Sequence, residues 1–389
     1  MFPHILSLCQ GRKSKGNYSI TSHWHCPQVE AHEQIFFWVS EHSLVLRHRL
    51  ISVFSQDSIS RYDHGLSLMW AQSTHSTYGG ALIDWIAWCD ANRIPEDDHL
   101  PISRELLSMF IASKISHDGA SHAGNIMSGL RAWHIVQGFN WSFGEDPLVL
   151  GLKHAISSNA PPSTTHPLCP PILIAHLKAL CLNLDLVSNP FNISIYAVAC
   201  CAFWGVSHLG ELVISSSSDC EPEKRVHREC AFSWDYLPDT TTLSGAHWHI
   251  PWTKTTQFCG VTMVLTDLAN MADCSPVKAL EHHLSCSSTL PMSANLFAYS
   301  YPLSSVSWSP MTKSLFLTRC HSIWKDAGLG ECGGHSFRIG GTTELLMQGF
   351  THKWVKVQGR WSLDTFQRYI CNTPQLLQAE IHHTSAHSS

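Results

Sequence analysis

The sequence predicts a mainly α protein with an N-terminal four-helix domain, followed by a larger, mostly helical domain that contains a small antiparallel sheet. Three observations support this prediction. Apolar residues recur at helical spacing through most of the chain after Arg61. A segment rich in proline, serine and threonine, residues 157–171, separates those helices into two groups. Three short strand-forming runs occur in the second group only.

Residues 61–156 are predicted to form the first domain, whereas residues 1–60 are assigned to none. The first helix is "RYDHGLSLMWA", and the second is "TYGGALIDWIAWCDANRI", with "STHSTY" before it to supply a cap. Ser103 is the expected N-cap of the third helix, and the fourth ends at Gly138. "GEDPLVLGLKHAI" closes the domain. The second helix places four apolar residues on one face: Leu82, Trp85, Ile86 and Cys89.

Residues 157–171 are the predicted linker, residues 172–375 the second domain and residues 376–389 a tail. The strand-like runs are residues 230–236, 246–252 and 260–266. The last two flank "TKTTQFC", which predicts a hairpin. Helices are expected near residues 172–186, 190–205, 275–286, 310–327, 336–348, 351–357 and 362–371.

Length, composition and charge exclude several classes of protein. The chain has 389 residues, which is enough for two domains that each bury a core. Hydrophobic residues make up 44% and charged residues 14%, so the chain is not largely disordered. The formal net charge of −5 counts against a basic nucleic-acid binder, although a local basic face can exist on an acidic molecule.

The cysteines and apolar runs predict a soluble, intracellular protein without a membrane partner. The 15 cysteines are odd in number and include no Cys-x-x-Cys, so we expect reduced, mostly buried thiols. The N-terminus lacks the pattern of a secretory signal. The longest apolar run, residues 193–206, has about 14 residues, which is too short for a membrane span and predicts a buried helix.

The 27 histidines raise the question of a metal site. The densest groups are "HWHC" at residues 23–26, Cys332 with His335, and the histidine pairs at 282–283 and 382–383. None of them has the paired-ligand spacing of a zinc site. We therefore predict no metal site.

The segment "GGHSFRIGGTTELLMQGF", residues 333–350, indicates a possible function. A helix begins at a glycine pair, with His335 and Arg338 in its first turn. A single His-x-x-Arg arises easily by chance in a chain so rich in histidine. Its significance therefore depends on the motifs that surround it.

The order of these motifs resembles that of a tyrosine recombinase, or phage-type integrase, of the lineage found in fungal genomes and related mobile elements. "SHLGEL" lies where that family has Arg-x-x-Glu, "WTKTT" where it has a hairpin lysine, and "HSFRIGG" where it has His-x-x-Arg. "GRWS" and "FQRYI" follow where it has a His or Trp and then a tyrosine. The resemblance covers roughly residues 60–375 and is most specific over residues 333–370.

The resemblance implies DNA recombination and integration. The first domain would be a core-binding (SAM-like) DNA clamp and the second the catalytic domain. The partner would be double-stranded DNA, bound by dimers or tetramers of the chain, in the nucleus of a cell that carries the mobile element. No metal or nucleotide cofactor would be needed.

The resemblance also assigns roles to five residues. Tyr369 would be the nucleophile, which forms a 3′-phosphotyrosine. Arg338 would bind the non-bridging oxygens, and His335 would donate a hydrogen bond or transfer a proton. Lys254 would be the general acid toward the leaving 5′-oxygen. Trp361 would donate its indole N–H to the phosphate.

The first arginine of the family pattern is missing, because His208 stands in its place while Glu211 remains. An imidazole is shorter than a guanidinium, lacks its bidentate fork and is mostly neutral at pH 7. Loss of one preorganised donor typically costs about 10²–10³ in rate. His208 is either a substitute in a slow enzyme or the mark of a DNA-binding protein whose catalysis has lapsed. A helical interaction protein unrelated to DNA is a third hypothesis.

Two further features concern the spacing and the DNA-binding surface. Trp361 and Tyr369 are eight residues apart, whereas many bacterial and phage relatives have nine, and we interpret this as lineage variation. The "STHSTY" hydroxyls, at an expected helix N-terminus, could hold a phosphate. The side chains expected to contact phosphates are those of Arg131, Lys153, Lys356 and Arg360.

Overall fold

The computed structural model describes residues 31–164, 169–216, 221–230, 232–253, 256–267, 274–300 and 308–361. The chain divides into two compact units, residues 1–167 and 168–389. The boundary between them falls within the segment that the sequence predicts as a linker. Each unit has a hydrophobic core of its own.

Helices α4 to α7 surround the core of the first unit. The predicted apolar face of α4 is completely buried, and Phe110, Leu130 and Trp133 pack in the same core. The helices of this unit are α1 Gln34–Phe37, α2 Glu41–Val53, α3 Gln56–Ser67, α4 Gln72–Ala91, α5 Arg104–Ala112, α6 Ala120–Val136 and α7 Pro147–Ser158.

The starts of α4 and α5 test two predicted caps. The hydroxyl of Ser103 accepts a hydrogen bond from the backbone N–H of Leu106 at 3.1 Å, which confirms this residue as the N-cap of α5. The prediction that "STHSTY" caps a helix is wrong, because residues 73–78 lie inside α4, whose N-cap is Ala71. Packing against α1 explains why α4 begins before these residues: the ring centroids of His75 and of Phe36 in α1 are 5.1 Å apart.

Helices α1 to α3 lie mostly within residues that the sequence assigned to no domain. The indole N–H of Trp133 donates to the carbonyl of Trp38 at 2.8 Å, which joins the segment after α1 to the first core. In contrast, α2 has no buried residue. A helix without a buried face leaves no apolar stripe in the sequence, which explains why the sequence did not indicate it.

The second unit is mostly helical with a small antiparallel sheet, as predicted. Its main sheet has the order β1-β2-β3, and Ile250 pairs with Val261 in the predicted hairpin. The helices are α8 Ile174–Asn183, α9 Pro190–Trp204, α10 Leu209–Leu212, α11 Pro276–Cys286, α12 Lys313–Asp326, α13 Gly334–Met347 and α14 His352–Gln358. The strands are β1 Phe232–Tyr236, β2 Leu243–Ile250, β3 Val261–Thr266, β4 Tyr299–Ser300 and β5 Trp308–Ser309.

Helix α9 is the centre of the second unit. Residues 192–204 are all buried, as expected for the longest apolar run of the sequence. Asn189 caps the helix through its side-chain oxygen, and Pro190 occupies the first helical position. Across the described ranges, no helix combines the length and apolar character that a membrane crossing requires.

Helix α13 packs directly against the backbone of α9. A Cβ atom on Gly341 would overlap the carbonyl oxygen of Phe203, and one on Gly340 would overlap that of Ile172. Glycine is therefore required at both positions for this close approach. The contact brings the first turn of α13 to the C-terminal end of α9.

Candidate active site

The turn after α9 forms one wall of the candidate site. Val206 has a φ of 47°, so the chain reverses here before α10 begins. The carbonyl groups of Gly205 and Val206 accept hydrogen bonds from two arginine side chains of later segments. His208 is the N-cap residue of α10 and is exposed.

Arg338, on α13, is held between this turn and the one after α14. Only 4% of the residue is exposed. Its Nη1 donates to the carbonyl of Val206 at 2.6 Å, and its Nη2 donates to that of Gly359. The ring of Trp361 covers the guanidinium, with 4.1 Å from the ring centroid to Cζ. The guanidinium is thus fixed in position before any ligand binds.

His208 and His335 stack next to Arg338. Their ring centroids are 5.8 Å apart, and the planes differ by 14°. Both residues are exposed. Partial burial of the ring, followed by the charge of Arg338, lowers the pKa of His208 to about 4, against an opposing effect of Glu211. The same two causes lower the pKa of His335. Both imidazoles are therefore neutral at pH 7.

Arg360 contributes a second guanidinium. Its Nη2 lies 2.6 Å from the Glu211 carboxylate and donates to the hydroxyl of Ser207 at 3.3 Å. Its Nη1 donates to the carbonyl of Gly205 at 3.1 Å. The exposed fractions of the paired side chains are 11% for Arg360 and 12% for Glu211. The sequence predicts Arg360 as a phosphate contact on the DNA-binding surface and does not indicate this ion pair.

One signal in the sequence could have indicated the pair. Glu211 remains although the arginine three positions before it is absent, and a carboxylate that becomes buried requires another partner. The identity of that partner follows only from the tertiary fold.

The structure brings together His208, His335, Arg338 and Trp361, four of the six residues predicted to be catalytic. Lys254 and Tyr369, the other two, lie outside the described residues. Thr253 and Gln257, on either side of position 254 in the sequence, form an isolated antiparallel bridge.

The other residues predicted to bind DNA lie elsewhere. Arg131 on α6 and Lys153 on α7 are exposed and belong to the first unit. Lys356 on α14 is half-buried and precedes Arg360 by four residues.

The arrangement is suited to an oxyanion. The site contains two guanidinium groups, Arg338 and Arg360, and the Glu211 carboxylate that pairs with Arg360, so these three groups carry one net positive charge. Two neutral imidazoles can each donate one hydrogen bond as well. Within the described residues, no three His, Cys, Asp or Glu side chains form a group that could hold a metal ion.

Comparison with known proteins shows a shared fold. No family model and no curated protein matches the sequence. The chain is similar to the XerH site-specific recombinase in a post-cleavage complex with palindromic difH substrate. Identity is 13% and the TM-score is 0.52, over 92% of this chain and 98% of that one.

Two further matches have lower TM-scores. The pre-cleavage XerH complex with difH substrate gives a TM-score of 0.48 at 11% identity, over 92% of this chain and 98% of that chain. A lambda integrase dimer bound to a COC′ core site gives 0.46 at 13% identity, over 81% and 94%. At such identities, the post-cleavage XerH likeness shows that the two chains share a fold, and function has to be argued from the site.

Proposed function

We propose that this chain is a tyrosine recombinase that cleaves and rejoins double-stranded DNA through Tyr369. The observation that carries the proposal is the convergence of His208, His335 and Arg338, with Trp361 over the guanidinium. These residues come from three separate segments. The sequence resemblance assigns these same residues to the site, and guanidinium, imidazole and indole groups all have N–H donors that suit phosphate oxygens.

The proposed reaction transfers a phosphoryl group from DNA to the protein and back. The neutral imidazole of His335 accepts the proton of the Tyr369 hydroxyl, and the Tyr369 oxygen forms a bond to the scissile phosphorus. The bond from phosphorus to the 5′-oxygen breaks at the same step. Lys254 donates a proton to that leaving oxygen. Arg338 stabilises the charge that develops on the non-bridging oxygens, and His335 donates a hydrogen bond to them. Attack by a 5′-hydroxyl on the phosphotyrosine then rejoins the strand and releases the tyrosine.

The resemblance extends the proposal beyond the site. It gives a core-binding DNA clamp in the first unit, dimers or tetramers of the chain on DNA, and a mobile element in a nuclear genome as the setting. These features are implied by the same motifs as the proposed cleavage, and the experiment below tests them together with it.

One observation favours a second candidate function. His208 is neutral at pH 7, because its pKa is lowered to about 4, so it brings no positive charge to the place of the missing arginine. A chain with the recombinase fold, DNA affinity and lapsed cleavage is therefore the alternative.

Covalent capture distinguishes the two functions. Nicked suicide duplexes made from the sequences that flank the gene are incubated with the full chain, and SDS-resistant protein–DNA adducts are measured. We expect an adduct with the wild type and with Tyr236→Phe, a control for an exposed tyrosine on β1, but none with Tyr369→Phe. An adduct that forms only with His208→Arg indicates lapsed catalysis. Equal adduct formation by Tyr369→Phe and the wild type contradicts the proposed nucleophile.

A further inference from the structure

Arg360 and residue 208 share one carboxylate. The Glu211 Oε2 atom accepts a hydrogen bond from the backbone N–H of His208 at 3.3 Å and binds the Arg360 guanidinium at 2.6 Å. A guanidinium therefore lies next to the position at which the recombinase pattern has an arginine. It comes from the turn after α14 and not from α10 itself.

The two guanidiniums of the site are held by the same pair of turns. Arg338 donates to Val206 and Gly359, while Arg360 donates to Gly205 and Gln358, which are the immediate neighbours of those two residues. Both cations also act on one imidazole, since the charges of Arg338 and Arg360 each lower the pKa of His208. Position 208 is thus adjacent to two fixed positive charges.

The hydrogen bonds of Arg360 leave it able to bind an additional anion. Its bonds to Gly205, Ser207 and Gln358 measure 3.1–3.3 Å, at the long end of the usual range. A phosphate oxygen forms shorter, charge-assisted bonds with such N–H groups and can replace these weaker partners. The Glu211 pair, at 2.6 Å, would keep the guanidinium oriented during that exchange.

Stability alone is a weak explanation for an arginine here. Arg360 has a φ of 59°, a left-handed conformation that costs a non-glycine residue about 1–2 kcal/mol. A nearly buried ion pair contributes little net stability compared with well-packed apolar residues. Backbone strain of this kind is found most often at functional sites.

We propose that Arg360 supplies the second phosphate-binding guanidinium of this site and so compensates for the histidine at position 208. The inference rests on the proposed function, because it needs a scissile phosphate. In the transition state the phosphorus carries additional negative charge on its non-bridging oxygens. Arg338 and Arg360 would share that charge, as two arginines of the family pattern do. His208 would then be a neutral hydrogen-bond donor between them.

Reciprocal replacement tests this compensation. The single-turnover rate of Tyr369 adduct formation is measured for the wild type and four variants: Arg360→Lys, Arg360→Gln, His208→Arg and the double variant Arg360→Gln/His208→Arg. We expect Arg360→Gln to slow the reaction by about 10²–10³. Arg360→Lys should recover part of the rate, because an ammonium keeps the charge but not the fork. The double variant should return to within about tenfold of wild type, since the guanidinium is restored on α10.

Two controls separate this role from a structural one. Arg104→Gln breaks another arginine–carboxylate ion pair, with Asp146 at 2.7 Å in the first unit, and should leave the rate unchanged. A methylphosphonate at the cleaved position removes one negative oxygen, so Arg360→Gln should be slowed less on this substrate than on the normal phosphate. Loss of a purely structural contact would slow both substrates equally.

The inference is overturned by a wild-type rate in folded Arg360→Gln, or by a double variant as slow as that single variant. Thermal unfolding reports on folding. If Arg360→Gln does not fold, the rates of Arg360→Lys and of the double variant test the proposal instead, because both variants keep a cation that can pair with Glu211. If His208→Arg forms adducts and the wild type does not, the proposed recombinase site stands. Arg360 then does not compensate for the histidine at position 208. No adduct with any variant, His208→Arg included, overturns the proposed cleavage and with it the inference.

Discussion

At the residue scale, the chemistry of the two site histidines is set by their neighbours. His208 and His335 stack on each other beside Arg338, and partial burial together with this cation lowers the pKa of each. Protonation of either ring would add a third positive charge to the cluster. The site therefore offers neutral imidazole donors over the physiological pH range, a property that the residue type alone does not determine.

This effect predicts how stability depends on pH. The unfolded chain protonates His208 below about pH 6.5, whereas the folded chain does so only near pH 4. Between these values the unfolded state binds more protons, so the free energy of unfolding decreases as the pH falls. His208→Gln removes this contribution. We expect the wild type to lose more stability than His208→Gln between pH 7 and pH 5, measured by urea denaturation.

His154→Gln is the matched control. His154 is exposed on α7, in the other unit, and its replacement should leave the pH dependence as in the wild type. An identical loss of stability in the wild type and His208→Gln would show that the His208 ring is solvated as fully in the folded protein as in the unfolded chain.

At the element scale, α13 positions the site because its backbone lies against α9. Gly341→Ala would place a methyl group on the carbonyl oxygen of Phe203, which is itself part of a buried helix and cannot move away. We expect a loss of about 2–3 kcal/mol in the free energy of unfolding, the upper range for an overpacked core. Urea denaturation of the full chain measures it.

Gly330→Ala serves as the control for this prediction. Nothing lies within 4 Å of a Cβ atom added at Gly330, so the free energy of unfolding should change by less than about 0.5 kcal/mol. Equal stability of the two variants would mean that α13 can move away from α9 without cost.

The elements that the sequence predicts are those with a buried face. Helices α4 to α6, α8, α9, α11 to α14 and the β2–β3 hairpin follow from apolar spacing, because burial is what creates that pattern. Apolar spacing does not predict α2, which has no buried residue. It also does not predict where α4 begins, because that depends on packing against α1.

The candidate site was predictable only in part, for a similar reason. The family motifs name His208, His335, Arg338 and Trp361, but the pairing of Arg360 with Glu211 needs two turns that are far apart in the chain. Spacing gives a hint: Arg360, not Trp361, precedes Tyr369 by nine residues, the step found in many bacterial and phage relatives. In the structure these two adjacent residues make different contacts: the indole of Trp361 covers the Arg338 guanidinium, and Arg360 binds the Glu211 carboxylate.

At the scale of the whole molecule, the proposed DNA binding has to be reconciled with a net charge of −5. Such a chain can bind a polyanion only through local cationic surfaces. In the second unit, Arg338 and Arg360 lie within the site, and one carboxylate, that of Glu211, pairs with Arg360. In the first unit, Arg131 and Lys153 are exposed on α6 and α7. The proposed clamp therefore depends on a small number of phosphate contacts, and each should be measurable.

Salt dependence measures these contacts directly. Each phosphate that the protein neutralises adds about 0.9 to the slope of log K against log salt concentration, because counterions are released. We expect Arg131→Gln and Lys153→Gln each to reduce the slope by about 1, measured by fluorescence anisotropy with labelled duplex DNA. Lys178→Gln, at an exposed lysine of α8 outside the predicted surface, should leave the slope unchanged.

Wild-type slopes in the Arg131 and Lys153 variants would remove both residues from the interface. Wild-type affinity that does not respond to salt would exclude a DNA clamp and leave the hypothesis of a helical interaction protein, since no phosphate-binding surface can avoid counterion release.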